Sequence, residues 1–86
     1  MFYLYIIQSL KTGTYYVGAT NDIERRLRDH NSESGIRYTK YGKPWKLLYT
    51  EKYLTLSDAR NREKQVKSWK KRSRIEAIIN STGPIV

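Results

Sequence analysis

The run Phe2-Tyr3-Leu4-Tyr5-Ile6-Ile7 constrains the fold more than any other part of this sequence. Six consecutive aromatic and aliphatic side chains, bounded by polar turn residues, read as a β-strand. Ser9 to Gly13 is turn material, and Thr14-Tyr15-Tyr16-Val17-Gly18 reads as a second strand. The two are expected to form a β-hairpin with a loop of two to four residues. Facing residues of an antiparallel pair share a side of the sheet. An even-numbered loop, such as Leu10-Lys11 or Leu10 to Gly13, therefore puts Tyr5 and Tyr16 on one face. Gly18, two residues beyond Tyr16, lets another backbone or a ligand approach closely.

The rest of the chain supplies helices to cover that hairpin. Asn21 followed by Glu24 has the form of an N-cap with its reciprocal carboxylate, opening a helix through about His30 with Ile23 and Leu27 as its apolar stripe. Asn31 to Lys43 is polar and reads as a loop; Pro44 then precedes a third strand, Trp45-Lys46-Leu47-Leu48-Tyr49. Thr55 with Asp58 caps a second helix, buried through Leu56, Ala59, Val66 and Trp69. Ser73 with Glu76 has capping-box form and opens a last helix carried by Ile75, Ile78 and Ile79, which Gly83-Pro84 ends. The expected order is β-β-α-β-α-α: an α+β fold with a three-stranded, mostly antiparallel sheet flanked by helices. The expected organisation is one domain over residues 1–82 with a short tail, 83–86.

Size and charge narrow the function. A chain of 86 residues supports one core, since a domain this small buries only roughly 60–65% of the surface its unfolded chain exposes. The absence of cysteine excludes a disulfide framework, a thiolate zinc site and a cysteine nucleophile. A single histidine excludes sites that need two. No uncharged stretch exceeds ten residues, too short to span a bilayer, and Met1 to Leu10 lacks the cationic start of a signal peptide, so no membrane role and a cytoplasmic location are expected. Against 8 acidic residues stand 17 Lys and Arg, a formal net charge of +9. Charge of that size on so small a body calls for a polyanionic partner, nucleic acid first.

The cations are unevenly spread. Arg60, Arg62, Lys64, Lys67, Lys70, Lys71, Arg72 and Arg74 share fifteen residues with one acid, Glu63. A solvated helix face gains from alternating signs at i,i+4; this one forgoes that gain, which favours phosphate contact. Arg25, Arg28, Arg37, Lys40 and Lys43 extend the expected nucleic-acid surface. Arg26 and His30, four apart, stack on one side of the first helix at the border of its apolar stripe. The guanidinium offers a donor fork matched to phosphate oxygens, and the imidazole can bind a phosphate oxygen or transfer a proton; a lone helix histidine is otherwise a surface residue. Glu63, ionised among cations, suits a hard cation such as Mg²⁺; the plainer alternative is an intrahelical ion pair with Lys67.

In order along the chain, Tyr3-Leu4-Tyr5, Tyr16-Val17-Gly18 and the segment Gly18 to His30 resemble the GIY-YIG nuclease superfamily. Lys43-Pro44-Trp45 and Ala59 to Lys67 extend the likeness to its small stand-alone bacterial members, themselves similar to the catalytic subunit of endonucleases that cut branched DNA. Tyr3-Leu4 stands where the family has Gly-Ile, and Val17 where it has Ile. The resemblance implies metal-dependent phosphodiester hydrolysis, with Tyr5 and Tyr16 as the motif tyrosines, Arg26 and His30 as the helix residues and Glu63 as the ligand of one Mg²⁺ or Mn²⁺. Asn80 is the candidate for the family's late asparagine, at a longer interval from Glu63.

On this reading Tyr16 activates the attacking water, Tyr5 orients it, Arg26 stabilises the pentavalent phosphate and His30 binds the phosphate or passes the proton on; the roles of Tyr5, Tyr16 and His30 are interchangeable at the level of sequence. The expected partner is DNA, including branched or single-stranded segments, recognised by shape, since no element looks built to read base edges. A homodimer would let so small a domain reach two strands. Two other readings remain: a nucleic-acid-binding module that keeps the fold without turnover, and a protein-interaction adaptor anchored by Tyr and Trp.

Overall fold

A computed structural model describes residues 1–32 and 40–81, Lys40 by its backbone alone. Arg37, the Lys40 side chain and the expected tail 83–86 lie outside the described residues. Strands β1 (Phe2–Ser9), β2 (Tyr15–Thr20) and β3 (Trp45–Tyr53) form one sheet in the order β2-β1-β3, with both pairings antiparallel. Helix α1 (Ile23–Asn31) follows β2, a short 3-10 turn (Lys40–Gly42) precedes β3, and α2 (Leu56–Lys67) and α3 (Arg72–Ser81) close the chain. The element order and the α+β architecture are those expected.

The apolar run forms the central strand because both of its faces are covered. Leu4 and Ile6 join Val17, Tyr49 and Val66 in one core, against which Trp69 and the α3 residues Ile75, Ile78 and Ile79 pack. Tyr5 and Ile7 join Trp45 in a second core on the other face, with Tyr16, Leu27 and Leu47 against it. Helix α2 lies mainly along β2, while α1 packs on β3. Each side of a small sheet thus has its own apolar filling, and each buried aliphatic side chain contributes about 1.5–3 kcal/mol.

A β-bulge decides which face Trp45 joins. Ile6 pairs with Tyr49 but Ile7 pairs with Leu47, so Leu48 is the extra residue. Strict alternation would put Trp45, Leu47 and Tyr49 on one side; the bulge sends Tyr49 to the Leu4 face and Trp45 with Leu47 to the Tyr5 face.

The hairpin is as expected: beyond the Gln8–Tyr15 pair the Ser9 N–H donates to the Thr14 carbonyl at 2.9 Å, leaving the even-numbered connection Leu10 to Gly13. Gly13 turns at φ +78°, a conformation glycine adopts without steric cost. Several other local expectations need correction. Asp22, not Asn21, caps α1, its carboxylate accepting from the Arg25 backbone N–H at 3.1 Å. The Thr20 hydroxyl accepts from the Asp22 backbone N–H and so advances the turn by one residue. Thr55 caps α2 as expected, but Leu56 is exposed and Trp69 lies beyond the helix end; Ala59 and Val66 are buried. Helix α3 starts at Arg72, which places Ser73 inside it, and Glu76 accepts a hydrogen bond from the Tyr15 hydroxyl in place of a capping box.

Candidate active site

Tyr5 occupies the middle of the central strand, where its neighbour across the ladder is Gly18. The missing side chain at 18 lets the phenol lie across β2: a Cβ there would stand 2.5 Å from the Tyr5 hydroxyl oxygen. Tyr16 pairs with Ile7, hence sits diagonal to Tyr5 on the same face, with the ring centroids 6.4 Å apart.

His30, in the last turn of α1, is fully buried, contrary to the surface position usual for a lone helix histidine. With its ring proton on Nδ1, its Nε2 accepts a hydrogen bond from the Tyr5 hydroxyl at 2.8 Å. Its ring meets Tyr16 edge-on at 4.9 Å and lies 6.5 Å from Trp45. Burial, reinforced by the Arg26 charge, pushes the imidazole down to about 4, so it is neutral at pH 7. Burial likewise pushes the Tyr5 phenol up to about 12, although the Arg26 guanidinium works against that rise by hydrogen bonding and by charge. The Tyr16 phenol and the Glu63 carboxylate raise it further, so three neighbouring groups, Arg26, Tyr16 and Glu63, act electrostatically on the Tyr5 phenol.

Arg26 is partly buried on the side of α1 that carries His30, and its contact with Asp29 is a long 4.0 Å between half-exposed side chains, a weak pair. Glu63, on α2, holds Lys67 Nζ at 2.7 Å, the ion pair that the i,i+4 spacing allows. Lys67 in turn lies 5.6 Å from the centre of the Tyr16 ring. Among the described residues no three His, Asp or Glu gather as metal ligands. A single carboxylate nonetheless fits Mg²⁺, which keeps several waters and takes the rest of its shell from substrate phosphate. The Glu63 carboxylate already holds a cation, the Lys67 ammonium, on a half-exposed flexible stem that can yield the position.

One part of the site was not anticipated. Asn31, the last residue of α1, clamps the start of β3: its Oδ1 accepts from the Trp45 N–H at 2.6 Å and its Nδ2 donates to the Trp45 carbonyl at 3.2 Å. The clamp fixes Trp45 against Tyr16 and His30. The sequence signal was an amide following the histidine directly, indistinguishable there from loop composition.

The candidate nucleic-acid residues separate into groups. Arg25 and Arg60 line a concavity with Arg26. Arg28, Lys64 and Lys67 are exposed on α1 and α2, and Lys43 is partly exposed before β3. Lys70, Lys71 and Arg74 line a separate concavity beside Trp69, at the α2–α3 corner. Two cations serve the fold instead. Arg72 stacks on Tyr15 at 4.4 Å and donates to the Gly13 carbonyl at 2.7 Å, tying α3 to the hairpin. Arg62 donates to Glu51 from Nε at 3.0 Å, and Tyr49 and Tyr53 donate to the same carboxylate. Asn80 is exposed on α3, which packs on the sheet face opposite Tyr5, and does not join the other site residues.

A three-stranded antiparallel sheet with helices on both faces, and Tyr5 crossing Gly18 beside Tyr16 on the hairpin, define a small α+β domain. A model described as the GIY-YIG catalytic domain matches residues 1–76, and the chain belongs to that family. It is 37% identical over 76 residues to a UPF0213 protein of Staphylococcus saprophyticus, covering 88% of this chain and 92% of that relative. It is 39% identical over 67 residues to a UPF0213 protein of Halobacterium salinarum, covering 78% and 86%. Its fold is similar to the solution NMR structure of a UPF0213 protein from Bacillus halodurans, at TM-score 0.57 and 32% identity over 98% of this chain and 89% of that one.

Proposed function

We propose that this protein is a metal-dependent endonuclease that hydrolyses phosphodiester links in DNA and selects its substrate by structure more than by sequence. The observation that carries this reading is the chain of contacts from buried His30 through the hydroxyl of Tyr5 to the neighbouring Tyr16 ring, over which Lys67 holds Glu63, with Arg26 on the His30 side of α1. Two phenols, one guanidinium and one carboxylate beside an exposed cationic helix can supply the proton transfer, charge neutralisation and backbone grip of an in-line displacement at phosphorus.

Tyr5, with its proton held firmly and its oxygen engaged by His30, orients the site and does not act as the base. His30 is buried and bonded to Tyr5, so its task is to hold that phenol, not to touch the phosphate. Tyr16 is more open to solvent than Tyr5 and is the group assigned to take the proton of the attacking water. The water oxygen bonds to phosphorus, the bond from phosphorus to the 3′ oxygen breaks, the leaving oxygen takes a proton from solvent, and Tyr16 returns to solvent the proton it accepted. Arg26 neutralises charge on the pentavalent phosphate. Glu63 would hold one Mg²⁺ or Mn²⁺, which when bound supplies Lewis acidity towards the phosphate oxygens.

The exposed cations of α1 and α2 grip the backbone without reading bases, so binding weakens steeply with salt. The test is magnesium-dependent nicking of labelled branched, single-stranded and duplex DNA by the wild type, Glu63→Ala and Arg26→Ala. Loss of one charge-stabilising donor lowers the rate by about 10²–10³. Cleavage indifferent to both substitutions refutes the site. Tight, salt-sensitive binding without cleavage in magnesium or manganese leaves the binding-module reading, which the Lys67–Glu63 pair favours if it persists when DNA is bound.

A further inference from the structure

Arg26 belongs to two places at once. On one side it lies on the face of α1 that carries His30, whose ring meets the Tyr5 hydroxyl. On the other it lines a concavity of about 290 Å³ shared with Phe2, Thr20, Asn21, Arg25 and Arg60, at the end of the hairpin where α1 and α2 both begin. Three arginines therefore line one small space, and among the described residues no carboxylate lines it. Arg60 has neither an ion pair nor a hydrogen bond from its side chain among the described residues, and Arg25 reaches only the Asn21 amide oxygen, at 3.5 Å. Such crowding of like charge is unfavourable in the free protein and is relieved by an anion. The volume is too small for a duplex and fits one phosphate with its sugar, for which Phe2 offers an apolar wall.

We propose that this concavity is a phosphate subsite for the nucleotide next to the cleaved link, with Arg25 and Arg60 as its ligands and Arg26 as the wall it shares with the reacting phosphate. The proposal rests on the endonuclease reading and sharpens it: the DNA strand runs along the start of α1 and α2, past Arg60 towards Glu63, in a fixed direction. Binding energy gathered at this neighbouring phosphate is the same in the bound complex and in the transition state, so it is read in KM.

The experiment uses short DNA substrates in which single backbone phosphates on either side of the cut are replaced by neutral methylphosphonates, tested with the wild type, Arg25→Gln, Arg60→Gln and, as a control of equal charge change, Lys52→Gln. In the wild type, one flanking position raises KM about tenfold with little change in kcat, the scale of one charged hydrogen bond. Arg60→Gln raises KM similarly on the ordinary substrate and removes the sensitivity at that one position, whereas Lys52→Gln keeps it. The salt slope falls by about 0.9 for the lost contact. Neutral links that act equally at every position, or effects of Arg60→Gln and the neutral link that multiply, overturn the subsite. So does a fall in kcat with KM unchanged. A wild type that binds without cutting removes the endonuclease reading alone, and the same pattern is then read in Kd.

Discussion

The Tyr5 ring rests on the backbone of Gly18, so that the phenol passes over the edge strand where any larger residue would block it. The two residues face each other in the ladder, and the absence of one side chain gives the other its direction.

Gly18→Ala tests that relationship. The added methyl collides with the phenol oxygen, so the tyrosine must swing off His30. Overpacking of this kind costs about 1–3 kcal/mol. Urea denaturation is expected to show that loss, and nicking activity to fall further than in Tyr5→Phe, which keeps the ring in place. Equal activity of wild type and Gly18→Ala would mean that the position of the phenol is irrelevant to function.

The neutral, buried His30 predicts an acid-sensitive fold. Its imidazole titrates near 4 in the folded protein against an ordinary 6.5, so the unfolded chain binds a proton more readily. Stability from this group is complete above pH 6.5 and is lost progressively as pH falls towards 4, by about 3 kcal/mol in all. Denaturation curves for wild type and His30→Gln across that window should converge as pH falls, because the variant lacks the titration. Parallel curves would show that His30 is not the proton acceptor.

Lys67 competes with any cation for Glu63. Lys67→Met is expected to tighten Mn²⁺ binding, followed by the electron paramagnetic resonance of the free ion, by about twofold, the worth of one exposed helical ion pair. Glu63→Gln should abolish the binding. Unchanged affinity in both variants would remove Glu63 as the metal ligand.

Arg62 is predicted to matter for folding and little for DNA. Its partner Glu51 is mostly buried; burial opposes ionisation, yet hydrogen bonds from Arg62, Tyr49 and Tyr53 hold the carboxyl below the usual range. Glu51→Gln should cost about 2 kcal/mol at pH 7. The wild-type advantage should fade as pH drops through the folded carboxyl's lowered pKa. Arg62→Gln should lower stability in urea while changing the salt slope of DNA binding less than Arg60→Gln does.

What could be read in the sequence followed from periodicity and parity. A continuous apolar run made β1 a strand, and an even-numbered connection put Tyr5 and Tyr16 on one face whatever the loop length. Thr55 with Asp58 marked a helix start because the cap is a local hydrogen bond. The misplaced features depend on distant partners. His30 sits at the polar border of its own helix and is buried only because Tyr5, Tyr16 and Trp45 close over it. Arg62 looked like its neighbours until Glu51, eleven residues earlier, claimed it. The bulge at Leu48 leaves no trace in a run of five residues that reads equally well without it, yet it decides on which face Trp45 stands. Gly18 was expected to admit a ligand or a backbone; what it admits is the side chain of Tyr5.

The division of the core between two faces of one sheet also separates its two indoles. Trp45 lies against Tyr16 and His30, whereas Trp69 lies on the far side, flanked by the guanidinium groups of Arg62 and Arg74 at 5.5 and 4.8 Å. Each half of the molecule thus has an intrinsic fluorophore of its own. With single-tryptophan variants, occupancy of the tyrosine side and loosening of the α3 side can be followed as separate emission signals, without an attached dye.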